Sequence, residues 1–231
     1  MYWHVPKIWG GETCFIIGGG PSLKLKAGLD KEEDDHELIF SKISELLAPI
    51  HNRKVIGVND AFRLGSWVDV CFFGDCRWFA VWEKQVLNFP GLKVTCCDKG
   101  SDVPGIRTLV RGRKGLETDP KHISWNANSG ASAINLAVLF GATTIILLGF
   151  DMGIIESKIT NWHFKHDSFK TIRGLTPERE KQTYTRFRNG FQAIATAIKD
   201  RNSSIKIINA NIDSKMDIFP KITLEEGLVY K

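Results

Sequence analysis

The chain has 231 residues, of which 43% are hydrophobic and 25% are charged, a balance typical of a globular protein with a substantial core. Its formal net charge of +5 at pH 7 permits anionic ligands but is too small to indicate a nucleic-acid-binding protein. The longest apolar stretch, residues 136–150, is interrupted by Gly141 and two threonines, so we expect a helix, a turn and a strand there instead of a membrane span.

The N-terminal sequence lacks the basic region and apolar run of a secretory signal, and a cytoplasmic location is therefore expected. The cysteines are odd in number, and at least three of them fall in predicted strands. They are Cys14, Cys71, Cys76, Cys96 and Cys97. This distribution favours reduced, partly buried thiols over a disulfide framework.

The first half of the chain alternates short apolar strands with helices. Thr13–Ile17 is a run of β-forming residues that ends in three glycines, and the charged stretch 24–37 predicts a solvated loop or the start of a polar helix. Apolar residues at helical spacing between 39 and 50 predict a helix with one buried face. Further strands are expected at 54–58, 69–73, 92–96 and 106–110, with a helix at 77–87.

The second half begins with an irregular and exposed loop, residues 99–120. Its basic residues are either solvated or contact an anionic substrate or partner; they are Arg107, Arg111, Arg113 and Lys114. Residues 131–140 predict a buried helix and 144–148 a central parallel strand. The polar segment 152–175 is long enough to predict a lid-like loop. A helix beginning at Pro177, a strand at 205–208 and a tail, 213–231, with a short helix from Thr223 complete the chain.

This alternation predicts an α/β fold with a doubly wound, mostly parallel, Rossmann-like sheet, in one nucleotide-binding domain over residues 1–231. Polar residues collect directly after the strands, where parallel strands share one edge and ligands usually bind. They are Gly18, Gly19, Gly20, Pro21, Ser22, Asn59, Asp60, Asp75, Asp151 and Asn209. Each alone is also explained by a turn or a helix cap, but together they predict a ligand crevice.

Residues 18–22, which we call the glycine loop, match neither common nucleotide motif. The third glycine of Gly-x-Gly-x-x-Gly would fall at Leu23, and no Walker A Gly-Lys-Ser/Thr follows. Ser129 and Gly130 open a predicted helix whose free N–H groups favour an anion, although Ser129 is equally explained as a cap. We expect the glycine loop and Ser129-Gly130 to line one pocket, with Asn59 between them and backbone amides holding the phosphates.

Two histidines, His163 and His166, lie in the predicted lid-like loop. A neutral imidazole is the usual general base for a hydroxyl, while surface or structural roles and metal binding stay open for this pair. The chain has no Asp-x-Asp motif, which favours metal-independent chemistry or a metal held by scattered carboxylates such as Asp75 and Asp151.

Several of these segments together resemble a known superfamily. They are the stretch from Ile17 to Leu23, Val58-Asn-Asp60, residues 128–133, residues 139–151, the histidine segment, Asn209 and Phe219-Pro220. The superfamily contains bacterial CMP-sialic-acid-dependent sialyltransferases, hydroxymethylpterin diphosphokinase-like proteins and phage-encoded relatives. The resemblance implies a glycosyltransferase-A-variant-like fold, nucleotide binding by the glycine loop, Asn59, Ser129 and Gly130, and a base at His163 or His166.

The function expected from this resemblance is metal-independent glycosyl transfer from a nucleotide-sugar, with a CMP-sugar as the donor and a glycan or small molecule as the acceptor. One alternative is an ATP-dependent pyrophosphokinase of the hydroxymethylpterin type, with Mg²⁺ on Asp75 and Asp151. Asp75 stands where the sialyltransferases favour Asn, which is a feature of the kinase-like relatives. The other alternative is a non-catalytic phage or host interaction module. A homo-oligomer is compatible with all three.

Overall fold

The computed structural model describes residues 2–29, 35–153, 161–162 and 177–231, and only the backbone of 177–181. Most of the segment expected to form a lid-like loop, including His163 and His166, lies outside the described residues. None of the described helices is long and apolar enough to cross a membrane.

The central feature is a seven-stranded parallel sheet of order β5-β4-β3-β2-β1-β8-β9, which confirms the predicted fold class. Its strands are β1 Thr13–Ile17, β2 Lys54–Val58, β3 Val70–Phe73, β4 Leu92–Thr95, β5 Ile106–Thr108, β8 Thr144–Leu148 and β9 Lys206–Asn209; a separate parallel pair joins β6 Val110–Gly112 and β7 His122–Ser124. From β1 the sheet grows one way through β2 to β5 and the other way through β8 and β9. The topological switch point, where such sheets usually bind ligands, therefore lies between β1 and β8.

Helices cover both faces of the sheet, as a parallel sheet requires. They are α1 Ser22–Lys26, α2 His36–Leu46, α3 Cys76–Asn88, α4 Ser129–Phe140, α5 Pro177–Asp200 and α6 Leu224–Leu228, with 3₁₀ turns at Ala48–Ile50, Asn59–Leu64 and Asp98–Gly100. Along β1, Cys14 and Ile16 pack into one core cluster, whereas Phe15 and Ile17 pack into the other. The strand is buried on both sides, which explains its uninterrupted apolar sequence.

The expectation of an irregular exposed loop at 99–120 is wrong in its second half. Leu109 and Leu116 are buried, and the chain between them forms β6, which pairs in register with β7. The strands of this region are only three residues long, and basic residues alternate with the buried ones, so composition concealed the strand pattern.

The expectation that all cysteines are reduced thiols is also corrected. Cys76 and Cys97 form a disulfide, with Cα atoms 5.4 Å apart. Cys76 opens α3 and Cys97 follows β4, which places both at the carboxyl edge of neighbouring strands. The other three cysteines are free and buried.

Candidate functional site

The carboxyl edge of the sheet gathers the polar residues that follow the strands. The glycine loop follows β1, Asn59 follows β2, Gly74 and Asp75 follow β3, and Asp151 follows β8. Helix α4 runs into β8, so its first residues, Ser129 and Gly130, also lie at this edge. The segments that were expected to line one pocket are therefore neighbours.

Several backbone amides of the glycine loop form hydrogen bonds within the fold. The Gly18 N–H donates to the Leu148 carbonyl and the Gly20 N–H to the Gly149 carbonyl, each at 2.8 Å. Pro21 has no N–H, and the Ser22 backbone donates to the carboxylate of Asp151. These amides bond to the end of β8 and to the residues that follow it, and nucleotide binding by the glycine loop stays a prediction.

The glycines are explained by close packing around Phe150. A Cβ on Gly18 would lie 2.9 Å from one edge of the Phe150 ring, and a Cβ on Gly130 would lie 2.6 Å from the other edge. The ring, 3% exposed, thus joins the end of β1 to the start of α4. The long-range pairing of the two glycine segments is real, but a buried aromatic side chain mediates it.

Asp151 is the most strongly perturbed carboxylate of the site. Its Oδ2 accepts from the Ser22 hydroxyl at 3.0 Å and its Oδ1 from the Asn211 amide at 2.9 Å. Burial raises the pKa of Asp151 to about 6, although the hydrogen bonds from Ser22 and Asn211 act in the opposite direction. The side chain is 6% exposed, so it braces the switch point more than it reaches into the crevice.

Five buried polar atoms have no hydrogen-bond partner within the described part of the chain. They are Asn59 Oδ1, directly after β2, Asn128 Nδ2, directly before α4, and Thr108 Oγ1, Ser124 Oγ and Asn209 Oδ1 on the last residues of β5, β7 and β9. Native proteins leave few such atoms, because each costs the full desolvation of its group. Two of these atoms belong to Asn59, at the end of β2, and to Asn128, at the start of α4.

Asn59 and Asn128 are the two of these side chains that stay partly exposed. Asn59 has a left-handed backbone, φ 52°, a conformation that costs free energy and is often retained at functional sites. Asn128 caps α4 by accepting from the Gly130 amide at 2.8 Å, which leaves its Nδ2 donor without a partner among the described residues. Ser129 stands beside it as the first residue of the helix.

Three of the predicted site residues serve the fold. Asp60, 1% exposed, accepts from the indole of Trp78 at 2.8 Å. Asn209 is fully buried and donates to the Phe150 carbonyl at 3.1 Å. Asp75 caps α3 and pairs with Arg77 at 3.2 Å; burial favours a higher pKa for Asp75, but the bonds from Arg77 hold it below the ordinary value.

Asp75 and Asp151, the carboxylates expected to hold Mg²⁺ in the kinase alternative, follow strands that are not neighbours in the sheet. They follow β3 and β8, which are separated by β2 and β1, so about 14 Å lies between the strands that carry them. Among the described residues no group of three or more His, Cys, Asp or Glu side chains has the spacing of a metal site.

Two aromatic residues near the site were missed by sequence reasoning. Trp162 is 1% exposed and donates from its indole to the Gly18 carbonyl at 2.7 Å and from its backbone to the Gly19 carbonyl at 3.1 Å. Trp125 packs against Gly74 and carries the guanidinium of Arg111 4.5 Å above its ring. Isolated tryptophans carry no motif, so the sequence offered only their proximity to His163 and to Ser129.

Comparison with known proteins identifies the fold but not a family. No protein-family model matches the chain, and neither does any curated protein sequence. The sialyltransferase CstII from Campylobacter jejuni with a substrate analogue, CMP-3FNeuAc, is 13% identical, with a TM-score of 0.50 over 92% of this chain and 86% of that one. A complex of the same enzyme with cytidine-5′-monophosphate gives a TM-score of 0.49 at 13% identity, over 93% and 86% of the two chains. The chain therefore shares the fold of the first structure.

Proposed function

We propose that the protein is a metal-independent glycosyltransferase that uses a CMP-sugar as donor, as a sialyltransferase does. The observation that carries the proposal is the pair of unpartnered amide atoms, Asn59 Oδ1 and Asn128 Nδ2, on partly exposed side chains at the carboxyl edge of the sheet. The fold shared with a sialyltransferase that binds CMP-3FNeuAc supports the choice of nucleotide. The glycine loop serves as the packed floor of this site.

The two asparagines suit a nucleoside monophosphate. An amide oxygen such as Asn59 Oδ1 accepts from ribose hydroxyls or from the amino group of cytosine, and an amide nitrogen such as Asn128 Nδ2 donates to a phosphate. Ser129 adds a hydroxyl beside Asn128 at the positive end of α4. The site thus offers acceptors for the nucleoside and donors for its charged group.

The reaction in this proposal is a direct displacement. His163 or His166 removes the proton from an acceptor hydroxyl, whose oxygen forms a bond to the anomeric carbon of the donor sugar. The bond from that carbon to the phosphate oxygen breaks, and CMP leaves with the electron pair.

Calorimetric titration of CMP into the wild type and two variants tests the site. Asn59→Gly removes the side chain while tolerating the left-handed backbone, and we expect it to weaken CMP binding about 10-fold because one desolvated hydrogen bond is lost. Asn202→Gly is the matched control, because Asn202 also has a left-handed backbone, φ 47°, but lies before β9 at the opposite edge. Equal affinities in all three proteins, or no binding of CMP by the wild type, would contradict the proposal.

A further inference from the structure

Arg111 is a positively charged residue near the carboxyl edge of the sheet, and the proposed function gives it no role. It lies on β6, and its Nε donates to the Cys96 carbonyl at 2.7 Å while its Nη2 donates to the Gly74 carbonyl at 3.0 Å. The guanidinium lies 4.5 Å above the Trp125 ring and remains exposed to solvent. A long, flexible side chain is therefore held in one orientation where β3 and β4 end.

The two carbonyls that hold Arg111 are themselves fixed relative to each other. Gly74 and Cys96 follow the neighbouring strands β3 and β4, and the disulfide between Cys76 and Cys97 ties the same two segments together. Because the guanidinium is ordered before a ligand arrives, little side-chain entropy is lost when it binds one.

The charge of Arg111 has no counter-ion within the part of the chain that the structure describes. The nearest carboxylate along the chain segment of Gly74 is Asp75, which already pairs with Arg77. A guanidinium has five N–H donors; two of those on Arg111 bond to the carbonyls, and the side chain also interacts with the Cys96 thiol. The exposed guanidinium can still present one N–H each from Nη1 and Nη2 as a pair. That pair matches the two oxygens of a carboxylate or phosphate.

The position of Arg111 indicates which part of a substrate it meets. Gly74 packs against Trp125, and a Cβ on Gly74 would lie 3.3 Å from the Ser129 hydroxyl, so Arg111 borders the start of α4. The ends of β3 and β4, where the carbonyls that hold Arg111 lie, are about 10 Å or more from the switch point between β1 and β8. A group bound by Arg111 is therefore distant from a nucleoside seated at the switch point.

We propose that Arg111 binds an anionic group, a carboxylate or a phosphate, of the small-molecule substrate that occupies this crevice. The nature of that substrate rests on the proposed function. The anionic group belongs either to the transferred sugar and the acceptor or to the nucleotide, and the two sources are separated by the choice of probes.

Calorimetry with four probes tests the assignment: cytidine, CMP, CMP-sialic acid and inorganic pyrophosphate. Arg111→Met removes the charge at similar length, Arg111→Lys keeps the charge without the planar fork, and Arg107→Met is the control. Arg107 is an exposed arginine on β5, the strand that precedes β6 in the sequence. We expect Arg111→Met to weaken the anionic probe about 10- to 100-fold, Arg111→Lys to weaken it less, and neither to change cytidine binding. Arg107→Met should leave every affinity within about 2-fold.

The pattern across probes identifies the source. A loss for CMP-sialic acid but not for CMP assigns Arg111 to the sugar carboxylate, and an equal loss for both assigns it to the nucleotide phosphate. Equal affinities of wild type and both Arg111 variants for every anion would overturn the inference while leaving the proposed function intact. Arg111-dependent binding of pyrophosphate without binding of any nucleotide would support the inference and overturn the proposed function. Failure of the wild type to bind any of the four probes would overturn both.

Arginine-directed labelling of the wild type gives a readout that needs no variant. Phenylglyoxal modification followed by peptide mass mapping compares Arg111 with Arg107 in the same molecule. We expect saturating CMP-sialic acid or pyrophosphate to slow modification of Arg111 several-fold and to leave Arg107 unchanged. Parallel protection of both arginines, or of neither, contradicts the assignment.

Discussion

At the scale of single residues, the ionisation of Asp151 changes the stability of the folded protein. Its pKa is raised to about 6 by burial, so the carboxyl group is held protonated in the folded chain at pH values where it ionises when unfolded. Its stabilising contribution is therefore complete below about pH 4 and is lost as the pH rises through about 6. The site keeps a carboxylate whose ionisation weakens the fold.

We predict that Asp151→Asn gains stability relative to the wild type as the pH rises from 4 to 7. The gain follows from the shift of about two pKa units and amounts to roughly 2–3 kcal/mol in the difference between their free energies of unfolding. Urea unfolding at several pH values measures it. Asp119→Asn provides a control, because the backbone hydrogen bond from Lys121 lowers the pKa of Asp119, so the stability that its carboxylate contributes is lost only as the pH falls below about 4 and changes little between pH 5 and 7. A difference between wild type and Asp151→Asn that does not change with pH refutes this prediction.

The identity of a residue predicted where it lies in the sheet better than it predicted which group it contacts. The sequence predicted that Gly18 and Gly130 both line a ligand pocket, and in the structure the two glycines pack against opposite edges of the Phe150 ring. A single sequence does not reveal whether a glycine admits a ligand or a side chain from a distant part of the same chain. The amides of Gly18 and Gly20 were assigned to phosphates for this reason, and in the structure they bond to residues 148 and 149.

At the scale of elements, the Cys76–Cys97 disulfide joins the start of α3 to the end of β4. The two cysteines are 21 residues apart in sequence, and closing a loop of this size in the unfolded chain is worth about 3 kcal/mol of stability. We predict that the reduced wild type and the double variant Cys76→Ala with Cys97→Ala both unfold at lower urea concentration than the oxidised wild type, by about this free energy.

The reduced wild type and the double alanine variant should have the same free energy of unfolding, since the disulfide that constrains the unfolded chain is absent from both. Equilibrium unfolding with and without reductant, followed by tryptophan fluorescence, makes the comparison. Identical unfolding midpoints for oxidised and reduced wild type would show that the bond does not constrain the unfolded chain. Because the same bond fixes the two carbonyls that hold Arg111, the reduced protein should also bind the anionic probe less tightly.

Elements with a full apolar run or a strong cap were predictable. The strands β1, β2 and β8 have the expected bounds, and Thr223 caps α6 with the expected start. The short strands β6 and β7 were not predictable, because a pattern of three residues shows too little periodicity. The sequence did not predict α1, because Pro21 and Ser22 at its start also fit a ligand-binding loop. The disulfide was unpredictable because its partners are brought together only by the order of β3 and β4 in the sheet.

At the scale of the whole molecule, the strand order brings together segments that no single sequence motif contains. The order β5-β4-β3-β2-β1-β8-β9 places β1 and β8 side by side although more than a hundred residues separate them, and it brings α4 to the same edge. Trp162 then ties the later part of the chain to the glycine loop through the Gly18 and Gly19 carbonyls. The candidate crevice is thus assembled from segments spread over most of the sequence.

The whole-molecule prediction concerns turnover. With CMP-sialic acid as donor and a soluble oligosaccharide as acceptor, transfer should persist in excess chelator, since the proposed displacement uses a protein base and no metal. Replacing the histidine that acts as the base, His163 or His166, by alanine should lower kcat about 10²- to 10⁴-fold and leave the affinity for CMP unchanged, because a base contributes to the reaction and not to nucleotide binding. His4→Ala is the control, since His4 is exposed on the N-terminal segment. Normal turnover by both single variants and by the double variant would remove both histidines from the mechanism, whereas loss of transfer in chelator would show that the reaction depends on a metal.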